Sequence, residues 1–353
     1  MRWLRQETDA EVQLMLWRGG PLAEAFAEVA EVTVLHPAPG QRSLAETAEL
    51  GLGEVGLGGI SGRLRALRMR VRVRPLPHDV LYLNGAGSAL LAPHLRSSAP
   101  VLAHVHELSR GLRFSLQGPG RECFLGADRI VAVAQVVADL LVDDWGVDPG
   151  RVVVLPECLP HRVVGAMRGA ATVTPGAPLV GSVGAGSWRK GVDLFLQVAA
   201  GVRQRVGPDV RFVWVGPIDD EEGIRSDVAA LALDDTLTLA GEVSDPTPWF
   251  EAMSVFVSTA REDPFPLVAL EAGAAGVPVV AFASGGITEL LADGRGTVVA
   301  PLDVAAMADR VAMLLMDPQS GRQGADALRA QVATAHTIEQ LGPALWAELE
   351  SLA

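Results

Sequence analysis

Apolar, β-branched runs alternate with segments of helical period along most of the chain, the pattern of strands and helices in turn. In the first half the runs predict strands over Glu11–Trp17, Glu31–Leu35, Asp79–Leu83, Val101–His106, Arg129–Ala134 and Arg151–Leu155. Helical stretches between them include Pro21–Ala30 and Gln135–Asp144. The Gly-rich run Gly51–Gly62 breaks the pattern and predicts a mobile loop. A second series predicts strands over Leu179–Gly184, Arg211–Gly216, Thr236–Ala240, Ser254–Ser258, Pro278–Ala283 and Gly296–Ala300. In Val192–Val206, residues Val192, Phe195, Leu196, Ala199 and Val202 share one helical face. Ala305–Met316 and a closing segment Ile338–Leu352 also read as helices. Strand–helix alternation predicts an α/β chain with parallel sheets. Pro156–Pro178 has four prolines and no period, so it reads as a linker. The expected plan is an N-terminal domain (1–158), a linker (159–177), a C-terminal domain (178–336) and a closing helix (337–353) that packs back toward the first domain. Two doubly wound units leave a cleft between them, and such sheets bind ligands beyond the carboxyl ends of their strands.

Composition narrows this. Apolar residues make up 49% of the 353, enough for sizeable cores. The longest apolar runs, such as Val277–Ala283, fall far short of the ~20 residues of a membrane span. The first nine residues hold no hydrophobic leader core, which predicts a cytoplasmic protein with at most peripheral membrane contact. The two cysteines, Cys123 and Cys158, form no CxxC, against a zinc site or a disulfide scaffold. A net charge of −13 disfavours nucleic acid as a partner, so a phosphate ligand would need a local cationic site. Lys190 is the only lysine, Asn84 the only asparagine and Tyr82 the only tyrosine. A GC-rich coding bias drains all three types. A lysine that survives it marks a place where a compact ammonium does what a planar guanidinium does not.

The strongest constellation runs from Ser258 to Ala272. A strand ends near Ser258, a loop follows, and a helix starts near Pro266 or Leu267. The amides of Phe265, Leu267 and Val268 would point out of the helix N-terminus, where donors and dipole favour phosphate; proline at Pro266 suits that position. Glu271, one turn in, can accept hydrogen bonds from a sugar diol, and Asp263 or Glu262 could reach a second sugar. The alternative is a surface helix whose acids merely favour its dipole. Against it stands Ala272–Val280, a run of small residues leading into a buried strand, which lets the helix sit close on the sheet.

This segment resembles glycosyltransferase family 4, with its Glu-x7-Glu motif and its following Gly-x-Pro-Val-Val pattern. The resemblance implies a GT-B fold: two Rossmann-like domains facing a cleft. It also implies that Glu271 grips the nucleotide ribose and Asp263 the hydroxyls of the donor sugar. The first acid here is Asp rather than Glu, with Glu262 one place out of register, and Pro264 and Pro266 leave fewer amides for phosphate. A second constellation spans Gly181–Asp193, where a strand enters a Gly-rich loop containing Gly184 and a helix opens after Arg189-Lys190-Gly191. Two cations can neutralise a diphosphate, and small residues admit a ligand to the backbone. The glycines do not fit GxGxxG, and no Walker lysine follows. The resemblance gives Arg189 and Lys190 the donor diphosphate.

A third element is the strand end His106-Glu107. A histidine there is more often structural; the resemblance implies that His106 faces the donor sugar, with His104 nearer the core. Asn84 and Glu107 fall on the acceptor side, and Asn84-Gly85 can equally form a turn. Val243, after Gly241, matches a backbone contact to the nucleobase. Glu289, after Gly285-Gly286, reads as structural, an acid in the first turn of a helix. The N-terminal match is partial: Met1–Thr8 looks like the end of a helix whose preceding strand and Gly-rich loop are missing. The expectation is an N-terminal domain without its first strand, which would leave two parallel strands lacking their shared neighbour, and a chain truncated at its N-terminus.

The expected activity is sugar transfer from a nucleotide-diphospho-sugar to an unidentified hydroxyl acceptor, with no cofactor and, since no Asp-x-Asp pair flanks a strand end, no metal. Retention of configuration is implied by the resemblance alone. The alternatives are a nucleotide-sugar epimerase or hydrolase on the same architecture, and a degenerate binding protein without activity.

Overall fold

The computed structural model describes residues 1–38, 77–95, 97–118, 120–160 and 176–353. The Gly51–Gly62 run and most of the predicted linker lie outside them. The chain packs as two compact units, each discontinuous in sequence: Met1–Val105, Arg110–Val131 and Gly342–Ala353 in one, His106–Ser109 and Ala132–Leu341 in the other.

In the first unit, β1 (Gln13–Arg18) and β2 (Glu31–His36) form a two-stranded parallel sheet. β3 (Leu81–Asn84) pairs in parallel with β4 (Val101–Val105) and opens a separate sheet that goes on to β5 (Arg129–Ala132), whereas β6 (Val152–Val154) belongs to the second unit. Among the described residues no strand joins the two sheets. Leu35 and Leu91, with Met15 and Leu95 against them, make a small apolar cluster beside the first sheet. The Ile338–Glu350 helix carries the chain back into this unit. A Cβ on Gly342 would lie 2.7 Å from the Trp3 ring, and Glu348 meets Arg129 at 2.8 Å.

The second unit is built on six parallel strands: β7 (Leu179–Val183), β8 (Arg211–Val215), β9 (Leu237–Gly241), β10 (Val255–Ser258), β11 (Val279–Phe282) and β12 (Thr297–Val299). Their order is β12-β11-β10-β7-β8-β9. The chain starts at β7, winds outward through β8 and β9, then returns to β10 and winds the other way. The order therefore reverses between β7 and β10, the place where open parallel sheets bind their ligands beyond the carboxyl ends. β10 and β11 are buried along their whole length, which explains their unbroken apolar sequence. The Val192–Val206 helix covers one face with Phe195, Leu196, Ala199 and Val202, as its period predicts.

Two expectations need correction. Arg322–Ala335 is a helix that the apolar pattern did not disclose, because only Ala325, Leu328 and Val332 turn inward from an otherwise polar segment. The small residues after Glu271 serve this helix as well as the sheet: a Cβ on Gly273 would lie 2.7 Å from Leu328 Cγ and 3.2 Å from Val332 Cγ2. Gly273→Ala therefore tests the packing. Helix propensity alone would stabilise the variant by up to ~1 kcal/mol, while overpacking costs ~1–3 kcal/mol. The expected outcome is a lower urea midpoint than wild type; a higher one would refute the contact.

Candidate functional site

Two loops of the second unit meet at the switch point, one following β7 and one following β10. The first is Gly184–Gly191. Gly184 stands at φ 143°, its N–H donates to Val215 O at 2.8 Å, and its carbonyl accepts from Trp214 Nε1 at 3.0 Å. A Cβ on Gly216 would lie 2.2 Å from that carbonyl, so the two chain ends need the missing side chain. Gly191, left-handed at φ 71°, turns the loop into the Val192–Val206 helix, and a Cβ there would strike Thr259 O at 2.2 Å.

The second loop, Thr259–Pro266, is clamped on both sides. Toward the first loop, Thr259 Oγ1 donates to Gly191 O at 2.8 Å, Arg261 N to Arg189 O at 2.8 Å, and Arg189 to Glu262 O at 3.0 Å. Toward β11, Asp263 N donates to Ser284 O and Gly286 N to Pro264 O, each at 2.9 Å. Gly285, at φ 109°, lies so close that a Cβ would come within 2.0 Å of Asp263 O. The Gly285-Gly286 signature thus holds the backbone of the predicted acidic position.

At the meeting point Lys190 Nζ contacts Asp263 Oδ2 at 2.6 Å, with Arg189 at 3.7 Å from Oδ1. The Asp263 side chain is 7% exposed and that of Lys190 16%, so this is a largely desolvated ion pair. Of the two acids whose order the sequence left open, Asp263 is the buried one that meets the cations; Glu262 is half-buried and offers its carbonyl to Arg189. The helix begins at Leu267, with Pro266 as its cap in extended conformation rather than inside the first turn. Among the described residues, the amides of Phe265, Leu267 and Val268 meet no acceptor. They are orphan donors at a helix N-terminus beside two cations, an arrangement that attracts an anion.

Glu271, one turn along, is half-buried, and among the described residues no hydrogen bond or ion pair engages it. Burial alone pushes its carboxyl up from 4.5 to about 7. An unpartnered buried carboxylate costs stability and fits a ligand that donates hydrogen bonds, such as a diol.

Other predicted residues fall as follows. Val243 follows β9 just beyond Gly241, whose carbonyl accepts from Gly216 N at 2.8 Å, on the same carboxyl edge. His106, just past β4, belongs to the second unit; its Nδ1 meets Glu157 Oε1 at 2.7 Å, and its N–H donates to the Glu107 carboxylate at 3.0 Å. Leu108, two residues on, reaches within 3.1 Å of where a Gly285 Cβ would stand, so the segment carrying His106 abuts the Asp263–Gly285 bridge. Asn84 is exposed at the end of β3 in the first unit, and Gly85 after it turns at φ 79°. His104 is half-buried and bonds Tyr82 at 2.6 Å. Glu289 does sit in a short helix, Ile287–Leu290, but its carboxylate accepts from the amides of Gln135 and Val136, each at 3.1 Å. It caps another helix, Gln135–Asp143, which places its electrostatic effect on that dipole and not on its own.

Sequence reasoning passed over Arg261, Asp193 and Glu157. Arg261 makes a forked pair with Asp193 at 2.9 and 2.6 Å and lies 5.1 Å over the Trp188 ring, riveting the two loops together. Its guanidinium holds the Asp193 carboxyl below the ordinary range. The one signal available was its place inside the motif, two residues before Asp263.

The Glu271 shift makes a stability prediction. Below pH 4.5 the carboxyl is protonated folded and unfolded, and burying it costs no charge. As pH rises toward about 7 the unfolded chain ionises first, so folding stability falls; above about 7 the loss is constant. Glu271→Gln should therefore gain stability over wild type at pH 8 and much less at pH 5, measured by urea unfolding. An equal difference at both pH values would refute the raised carboxyl.

Comparison with known proteins identifies the family. Residues 22–161 match the model for Glycosyltransferase Family 4, and residues 177–317 match that for Glycosyl transferases group 1. A lipopolysaccharide core mannosyltransferase of Rhizobium leguminosarum is 32% identical over 190 residues, 52% of this chain and 53% of that protein. A D-inositol 3-phosphate glycosyltransferase of Kribbella flavida is 32% identical over 282 residues, 71% of this chain and 66% of that protein. The chain spans about half the length of the first curated relatives it matches. Among solved structures, Anabaena HepE in complex with UDP and glucose superposes with a TM-score of 0.75 at 18% identity, over 99% of this chain and 93% of that one. That likeness carries the fold, GT-B. With a family model on each half, relatives of one kind and the switch-point loops of its second unit, the chain belongs to the group 1 glycosyltransferases of family 4.

Proposed function

We propose that this chain transfers a sugar from a nucleotide-diphospho-sugar to a hydroxyl acceptor, with retention of configuration and without a metal in the step. The observation that carries the reading is the contact of Lys190 with Asp263 beside orphan amides at the start of the Leu267–Ala275 helix, with an unpartnered Glu271 one turn further in. Lys190, Arg189 and the amides take the diphosphate and stabilise the charge that develops as the bond to the sugar breaks. A phosphate oxygen replaces or shares Asp263 on the ammonium, which leaves the Asp263 carboxylate for sugar hydroxyls. Glu271 accepts from the ribose diol. His106 contacts the donor sugar and shields its developing positive charge. The positive charge needed by the leaving group comes from these side chains and amides, which is the ground for a metal-independent step. HepE was crystallised in complex with UDP, and the similar proteins are glycosyltransferases, which supports a nucleotide diphosphate as the leaving group.

A second reading, a protein that binds the donor and transfers nothing, is favoured by the separation of β1–β2 from β3–β5 among the described residues of the first unit. Turnover with an acceptor panel decides between the two.

The test is a thermal-shift panel of nucleotide-sugars. A ligand at a hundred times its Kd stabilises by ~2.7 kcal/mol. One donor should raise the Tm of wild type, while Lys190→Ala and Glu271→Ala, each compared with its own ligand-free Tm, should lose most of that shift. No shift with any nucleotide-sugar, or undiminished shifts in both variants, would overturn the assignment. Donor affinity should also rise from pH 6 to pH 8 in wild type, as Glu271 ionises around pH 7, and lose that slope in Glu271→Gln.

A further inference from the structure

His106 does not stand alone. Its Nδ1 lies 2.7 Å from Glu157 Oε1, with both side chains about three-quarters shielded from solvent. An ionised carboxylate only accepts hydrogen bonds, so the proton of a neutral His106 ring must sit on Nδ1 and the lone pair on Nε2. The Glu157 carboxylate therefore selects one of two tautomers and pins the ring's rotation about χ2.

Glu157 is itself held. Its carbonyl accepts from the buried His336 Nδ1 at 3.0 Å. Two residues further, Leu159 forms a parallel bridge with Thr337: Leu159 N donates to His336 O at 2.9 Å, and Ile338 N to Leu159 O at 3.2 Å. Three hydrogen bonds thus fix the backbone that presents the carboxylate. Burial holds His336 below the usual imidazole range, so it stays a neutral donor with its proton directed by the Glu157 carbonyl. On its other side the His336 ring lies 5.5 Å from the ring of Phe265, whose amide heads the anion-attracting helix. The same short segment that sets His106 is therefore braced against the start of the phosphate site, and every one of these residues belongs to the second unit.

We propose that Glu157 is a positioning residue for the transfer reaction: it holds His106 in the Nδ1-protonated tautomer so that Nε2 is the atom offered to the donor sugar. This rests on His106 being the contact to that sugar. Glu157 touches neither donor nor acceptor; it acts through the imidazole.

Two variants and one spectrum test it. Glu157→Ala removes the acceptor. Glu157→Gln keeps an oxygen that can accept from Nδ1–H but carries no charge. Long-range proton–nitrogen correlation spectra of histidine-labelled protein, with the His106 signals assigned from His106→Gln, report the tautomer directly. Wild type should show Nδ1 protonated, Glu157→Ala a mixture or the other tautomer, and Glu157→Gln the wild-type pattern. With a nucleotide-sugar and acceptor, Glu157→Ala should lower kcat about 10-fold with donor KM within about twofold. Glu157→Gln should recover most of that rate. In a His106→Gln background, Glu157→Ala should cost nothing further, since both changes remove one interaction.

A His106 spectrum unchanged by Glu157→Ala, or an undiminished loss in the His106→Gln background, would overturn the proposal. Should Glu157→Ala unfold, Glu157→Gln decides: a shifted tautomer together with a wild-type rate would sink the idea. If wild type turns over no nucleotide-sugar, the transferase reading fails, while the His106 spectrum still decides whether Glu157 sets the ring.

Discussion

The candidate site of the second unit is organised around one buried ion pair. Desolvating an ammonium and a carboxylate costs several kcal/mol each, which their attraction offsets only at short range and with good geometry. Lys190 and Asp263 reach 2.6 Å, and they do so because two loops approach more closely than side chains would permit. Gly191 and Gly285 are the points of closest approach, one against Thr259 and the other against Asp263 itself. The aliphatic stem of Lys190 runs over Gly184, with its carbons 3.6–3.8 Å from where a Cβ would sit. A planar guanidinium has no such slim approach, which gives a physical reason for the lone lysine of the chain to stand here.

Asp263 and Glu271 show opposite solutions to the same cost. Asp263 is buried with a partner, and Glu271 is half-buried with none among the described residues. A chain selected only for stability would fill the second position with an apolar or neutral side chain. That it keeps an ionisable group there is the kind of local conflict expected where stability is given up for binding.

Most of the second unit was legible in the sequence. Its central strands β10 and β11 are buried from end to end and β7 and β8 nearly so, so apolar β-branched runs mark them within a residue or two, and the loops that carry Lys190 and Asp263 follow directly from where those strands stop. What was not legible are contacts with no fixed spacing. Glu289 reaches across 154 residues to the amide of Gln135, and Arg261 across 68 to Asp193. Glu157 was hidden for the same reason, 51 residues from His106 in a stretch that reads only as the start of a linker. The Arg322–Ala335 helix escaped notice because it is mostly polar and its inward face is a narrow stripe. The strands of the first half were read as closely, each within two residues of its bounds, although β1 and β2 are only partly buried.

The rim of the six-stranded sheet has a further implication. Three adjacent strands, β7, β8 and β9, run out into Gly184, Gly216 and Gly241, all at positive φ. At those three positions the chain carries no side chain, so what lies beside them is met by main chain rather than by a variable side chain. Divergence elsewhere in the molecule can proceed without altering this margin, whereas at these three positions nearly any replacement strains the backbone. A family drifting under such a rule would keep one way of holding its shared ligand part, and would have to look for new selectivity in other loops.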